Sequence, residues 1–176
     1  MSNERNLLKK AAQGDLNAIK TLARYYDKQS GRWTEEPNVG ESVSIDEFFA
    51  NMEREEHEPA KAKAFEWFMK GAELGDPECM YEIGHRIYDN IGCEERGWPE
   101  RGVLALKWYL KSAQAGYVPA MRITAYMYAG LVEKNLPESF SWYLKAAELG
   151  EKKSACEVAK YHVLGKGVEK NLSEAD

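Results

Sequence analysis

The residues that announce chemistry are scarce in this chain. Its three histidines, His57, His85 and His162, are scattered, and none has a second metal-type ligand at a characteristic spacing. There is no Gly-x-Ser-x-Gly, no phosphate-cradling Walker loop, no His-Glu-x-x-His and no dinucleotide fingerprint. No catalytic residue, cofactor or metal is therefore expected, and the chain is not read as an enzyme. Its three cysteines, Cys79, Cys93 and Cys156, are odd in number and lack the CxxC spacing of a zinc or redox site. They read as reduced thiols, with Cys79 and Cys156 at positions where helical spacing buries small side chains. A basic excess is also missing. Lys and Arg number 24 against 29 Asp and Glu, a net charge of −5, so general attraction to nucleic acid or anionic lipid is not expected. No window approaches about 18 consecutive apolar residues, and residues 1–15 hold neither a long apolar stretch nor a small-residue cleavage site. The expectation is a cytoplasmic protein.

What the chain does have is 44 % hydrophobic residues in 176, sufficient for a substantial core, arranged with internal self-similarity. Phe65-Glu66-Trp67-Phe68-Met69-Lys70-Gly71-Ala72-Glu73-Leu74-Gly75 is echoed by Leu106 to Gly116 and by Phe140 to Gly150, with tryptophans at Trp67, Trp108 and Trp142. A partial copy lies at Lys10 to Gly14. Val132-Glu133-Lys134-Asn135-Leu136 recurs identically as Val168-Glu169-Lys170-Asn171-Leu172. Recurrence of whole units at 34 to 41 residues, the spacings between the tryptophans, signals a repeat architecture.

Each unit resolves into two helices. Positions four, eight, nine and twelve after each glycine share one helical face. They are Ala18, Leu22, Ala23 and Tyr26; Cys79, Ile83, Gly84 and Ile87; Ala120, Thr124, Ala125 and Tyr128; and Ser154, Val158, Ala159 and His162. The ninth is always Gly or Ala, as close approach of helices requires. The Trp-bearing helices end at Ala-x-x-Gly, so Gly75, Gly116 and Gly150 read as left-handed caps. The tryptophans and His162 read as core.

This pattern of Ala…Leu-Gly…Tyr, a short Gly-containing loop and Trp-Tyr-x-Lys-Ala-Ala-Glu-x-Gly resembles the Sel-one-like repeat family, relatives of the tetratricopeptide repeats, over most of residues 10–26 and 59–176. The resemblance implies an all-α fold, a right-handed α/α superhelix of about four helical hairpins. It also implies a concave surface that binds other proteins. Thr124-Ala125 departs from the usual Leu-Gly, the loop at Asp89 to Trp98 is long, and about 27 extra residues interrupt the first unit, which puts local stacking there in question. The whole of 1–176 reads as one array, with an insertion at about 28–60 and an incomplete last repeat at 166–176. Within the insertion, Ser44-Ile45-Asp46-Glu47 forms a capping box before Ile45, Phe48, Phe49 and Met52, the spacing of a short amphipathic helix. Residues 172–176 repeat the start of a Trp-bearing helix, so a longer array is expected.

If the helices bearing Leu-Gly line the inner curve, as the resemblance implies, positions six, seven and ten after each glycine face a groove. They are Lys20, Thr21 and Arg24; Tyr81, Glu82 and His85; Arg122, Ile123 and Tyr126; and Cys156, Glu157 and Lys160. Tyr and Arg are residue types that carry binding energy at protein interfaces, which favours Tyr81, Arg122 and Tyr126. A merely solvated face is the alternative for each residue. The leading expectation is an adaptor that holds a protein or peptide. Neutralisation of a bacterial toxin or effector is one variant, and a β-lactam hydrolase is a remote one, since the paired cysteines in each repeat of such relatives are missing.

Overall fold

The structure, a computed structural model, describes residues 2–29, 59–89, 100–132 and 134–165. The helix expected near 44–52, Cys93, the long loop after Asp89 and the final segment 166–176 lie outside the described residues. Eight α-helices are present among those described and no strand: α1 Ser2–Ala12, α2 Leu16–Gln29, α3 Pro59–Glu73, α4 Pro77–Tyr88, α5 Glu100–Gln114, α6 Val118–Tyr126, α7 Leu136–Glu148 and α8 Lys152–Leu164. None of them is long and apolar enough to cross a membrane. The chain divides into two compact units, Met1–Ala105 and Leu106–Asp176.

One turn joins the helices of every hairpin. Gly14, Gly75, Gly116 and Gly150 all take φ between 82 and 90°. At the second of them, Gly75 N–H donates to the Ala72 carbonyl (2.9 Å) and Asp76 N–H to the Gly71 carbonyl (3.0 Å), the paired bonds of a Schellman end. The same two bonds close the other three turns. The residue after the glycine then starts the next helix: Asp76 Oδ1 accepts from Cys79 N–H (2.8 Å) and Asp15 Oδ1 from Ala18 N–H (3.0 Å), while Glu151 Oε2 accepts from Ser154 N–H (2.6 Å). A single residue thus finishes one helix and caps its successor, which fixes the hairpin angle with no spare loop. Tyr117 occupies the third such position without a side-chain cap, and Pro119 in the first turn pre-sets the helix instead.

In the first unit each helix packs on its neighbour in the chain, α1 on α2, α2 on α3 and α3 on α4. Contact between α2 and α3 therefore survives the insertion between them. The face expected from the spacing is the core: Ala18, Leu22, Ala23, Cys79, Ile83 and Ile87 are all at most 3 % exposed. A tight approach lies at Gly71 of α3, where an added β-carbon would collide with Sγ of Cys79. Sequence spacing singled out Gly84 for this role, and Gly84 is buried too. Arg86 of α4 is buried under the hairpin and reaches across to Asp27 of α2 (2.6 Å). It also bonds Glu82 (2.7 Å) and lies 4.1 Å from the Phe68 ring centroid.

In the second unit α6 packs on α7 and α7 on α8. Ala120, Thr124 and Ala125 are fully buried as expected. Beyond Tyr126, α6 widens into a π turn over Met127–Leu131, kinked at Gly130 with φ 147°. A buried polar link ties three helices: Ser139 Oγ of α7 donates to the Ala125 carbonyl (2.7 Å). With its one proton so used, it accepts from the Tyr161 hydroxyl of α8 (2.7 Å).

Three expectations need correction. Cys156 is exposed, because it sits at the sixth position after its glycine, on the side of α8 away from the packed face. Val158, Ala159 and His162 are only half-buried, on a helix whose main packing among the described residues is against α7. His162 packs edge-on against Phe140 at 5.3 Å. Of the repeated tryptophans, Trp142 is buried while Trp67 and Trp108 are half-buried. Each is roofed by the lysine one turn on, with Lys70, Lys111 and Lys145 placing their ammonium 4.2, 4.6 and 4.3 Å from the ring centroids. The indoles are amphipathic lids held by cation–π attraction as well as burial.

Candidate protein-binding face

The residues singled out from the sequence fall into both units, and the two groups differ in what surrounds them. In the first unit, Lys20 and Arg24, one turn apart on α2, meet the start of α4. Lys20 Nζ lies 3.3 Å from Asp76 and also pairs with Glu78, and Arg24 bonds the other oxygen of Glu78. Burial pushes the Glu78 carboxyl up, but the hydrogen bonds from Lys20 and Arg24 outweigh it and hold the group below its usual range. At Asp76 burial is likewise outweighed, by the Cys79 N–H and then by Lys20. For Lys20 burial acts downward, and its two carboxylate partners raise it overall. The cap of α4 and the surface charge pair are therefore one network.

Farther along α4, Tyr81 and His85 are joined to each other. The Tyr81 hydroxyl lies 2.8 Å from Nε2 of His85, and the rings meet edge-on at 4.6 Å. Glu82, also a candidate, is engaged by Arg86. Of the first-unit face residues, Thr21 and Arg24 are exposed, while Lys20, Tyr81, Glu82 and His85 are half-buried. Cys79 is buried with its thiol pushed far up by burial and by the nearby Asp76 carboxylate, which makes it a packing residue and not a nucleophile.

In the second unit, Arg122 and Tyr126 stand one turn apart on the same stripe of α6, with Ile123 beside them. Tyr126 is 51 % exposed, while Arg122 and Ile123 are half-buried. On α8, Glu157 and Lys160 pair with each other at 2.6 Å. Between the two helices lies Tyr143 of α7, itself 5 % exposed. Burial drives its hydroxyl well above the usual range, the Glu157 charge pushes the same way, and Arg122 pulls against both. Arg122, Tyr126 and Glu157 thus all act electrostatically on this one phenol.

Sequence reasoning missed Tyr143, which the repeat pattern files as a core aromatic, and Asp76 and Glu78, which lie too early in their helix to have been counted as face residues. A signal for the latter did exist: acids one and three places after Gly75 stand opposite the cations six and ten places after Gly14. Among the described residues no three His, Cys, Asp or Glu side chains are placed to hold a metal ion.

Comparison with known families matches the Sel1 repeat at residues 57–76, 77–117, 118–151 and 152–175. The match breaks at the glycine turns and starts after α1 and α2, although that hairpin carries the same turn and the same small-residue face. Among solved structures, a Sel1 repeat protein from Oxalobacter formigenes superposes with a TM-score of 0.71 at 24 % identity, covering 97 % of this chain and 59 % of its own. A protective antigen of uropathogenic Escherichia coli strains, described as displaying an SLR fold, gives 0.57 at 24 % identity, covering 98 % of this chain and 38 % of its own. The sequence spans less than two thirds of either neighbour, and at these identities the likeness establishes the fold, an all-α helical-hairpin solenoid. Comparison with curated proteins gives no match.

Proposed function

The chain belongs to the Sel1 repeat family, whose repeats are generally non-catalytic scaffolds for protein–protein interaction, and from that premise we propose that it is an adaptor holding a protein or peptide partner on the faces bearing Arg24, Tyr81, Arg122 and Tyr126. The observation that carries this reading is Tyr126. It is a large aromatic 51 % exposed, with Tyr25 at 46 % the other exposed aromatic among the described residues, and it stands one turn from an arginine. Tyr and Arg side by side are the residue types over-represented among the few that dominate binding energy. Stacked hairpins also suit the task, since each repeat adds surface without altering the fold of its neighbours.

Affinity capture from the source lysate, with this chain as bait, tests the reading against the variant Tyr81→Ala, Tyr126→Ala, which removes the leading aromatic of each unit. A protein retained by the parent chain and lost by the variant supports the adaptor. Equal retention by both, or no specific partner for a folded sample, counts against it.

A further inference from the structure

We draw no further inference here: the strongest candidate, the stripe of α8 through Val158, Ala159 and His162, which is half-buried where the matching Ile83, Gly84 and Ile87 of α4 are buried, is an apolar face for which nothing in the structure shows what covers it.

Discussion

The two units share a turn, a repeat spacing and a small-residue packing face, but they tie their helices together differently. In the first, the links are ionic: Lys20 and Arg24 of α2 grip Asp76 and Glu78 at the start of α4, and the buried Arg86 of α4 reaches back to Asp27. In the second, the link is buried and neutral, running from Tyr161 through Ser139 to the Ala125 carbonyl. A repeat architecture leaves this choice open because the glycine turn already sets the hairpin. The cations that fasten the first unit are occupied by carboxylates, whereas hydroxyls do the fastening in the second.

The eighth position after the glycine gives the comparison its sharpest test, since Ile83 and Thr124 hold it in the two units and both are fully buried. Ile83→Ala should destabilise the protein by about 3 kcal/mol, through lost transfer energy and the cavity left between α3 and α4. A urea titration followed by circular dichroism measures it. A loss under about 1 kcal/mol would mean that the first unit depends on its ion pairs more than on its apolar face.

Ser139→Ala should cost about 2 kcal/mol in the same titration, because it leaves the Tyr161 hydroxyl and the Ala125 carbonyl buried with one partner fewer. Double replacement with Tyr161→Phe should restore part of the loss, since the variant no longer buries an unmatched hydroxyl. Strict additivity of the two changes would show that the hydroxyls do not act as a link.

Acid should expose the ionic fastening of the first unit. Asp76 and Glu78 are held below their ordinary values of 3.8 and 4.5. Their contribution is therefore complete above about pH 4.5 and disappears as the pH falls through the lower folded-state values. Lys20, held above its ordinary 10.5, gives the mirror-image loss only in strong alkali. Glu78→Gln should lower stability near neutrality by up to about 1 kcal/mol and make the profile of Tm against pH flatter on the acid side. Part of the acid sensitivity will remain, because Glu151 in the second unit is also held low by its bonds to Ser154. An unaltered profile would place the acid response outside the α2 to α4 network.

The architecture was readable because its signals are local and recur. A glycine at a fixed offset takes the left-handed conformation in every copy, and a small residue at the ninth place is buried in the first three helices that follow such a glycine. Family resemblance extended these local signs to a fold. Pairings between helices were less legible: nothing in the sequence announces that Arg86 turns inward to Asp27, or that Gly71, one of a small-residue pair, lies against the Cys79 thiol. Cys156 went astray for a related reason, since one step along a helix rotates a side chain by about 100° and carries it off the packed stripe. The face residues came out as a correct set of helical positions without their partners. Whether an exposed cation is already paired depends on the neighbouring hairpin, which spacing alone does not orient.

The smallest expected effect has the opposite sign. Thr124 places its hydroxyl in the second unit's core with no hydrogen-bond partner, at a position held by Leu22, Ile83 and Val158 in the other copies. Thr124→Val keeps the branched shape and removes the stranded polar group, so it should stabilise the protein by about 1 kcal/mol and raise Tm. The face of α6 that carries Arg122 and Tyr126 is turned away from this site, so retention of a partner in the lysate capture should not change. Destabilisation instead would mean that the hydroxyl has a partner after all, a buried water being the simplest one. The second unit would then rest on two neutral polar links where the present comparison gives it one.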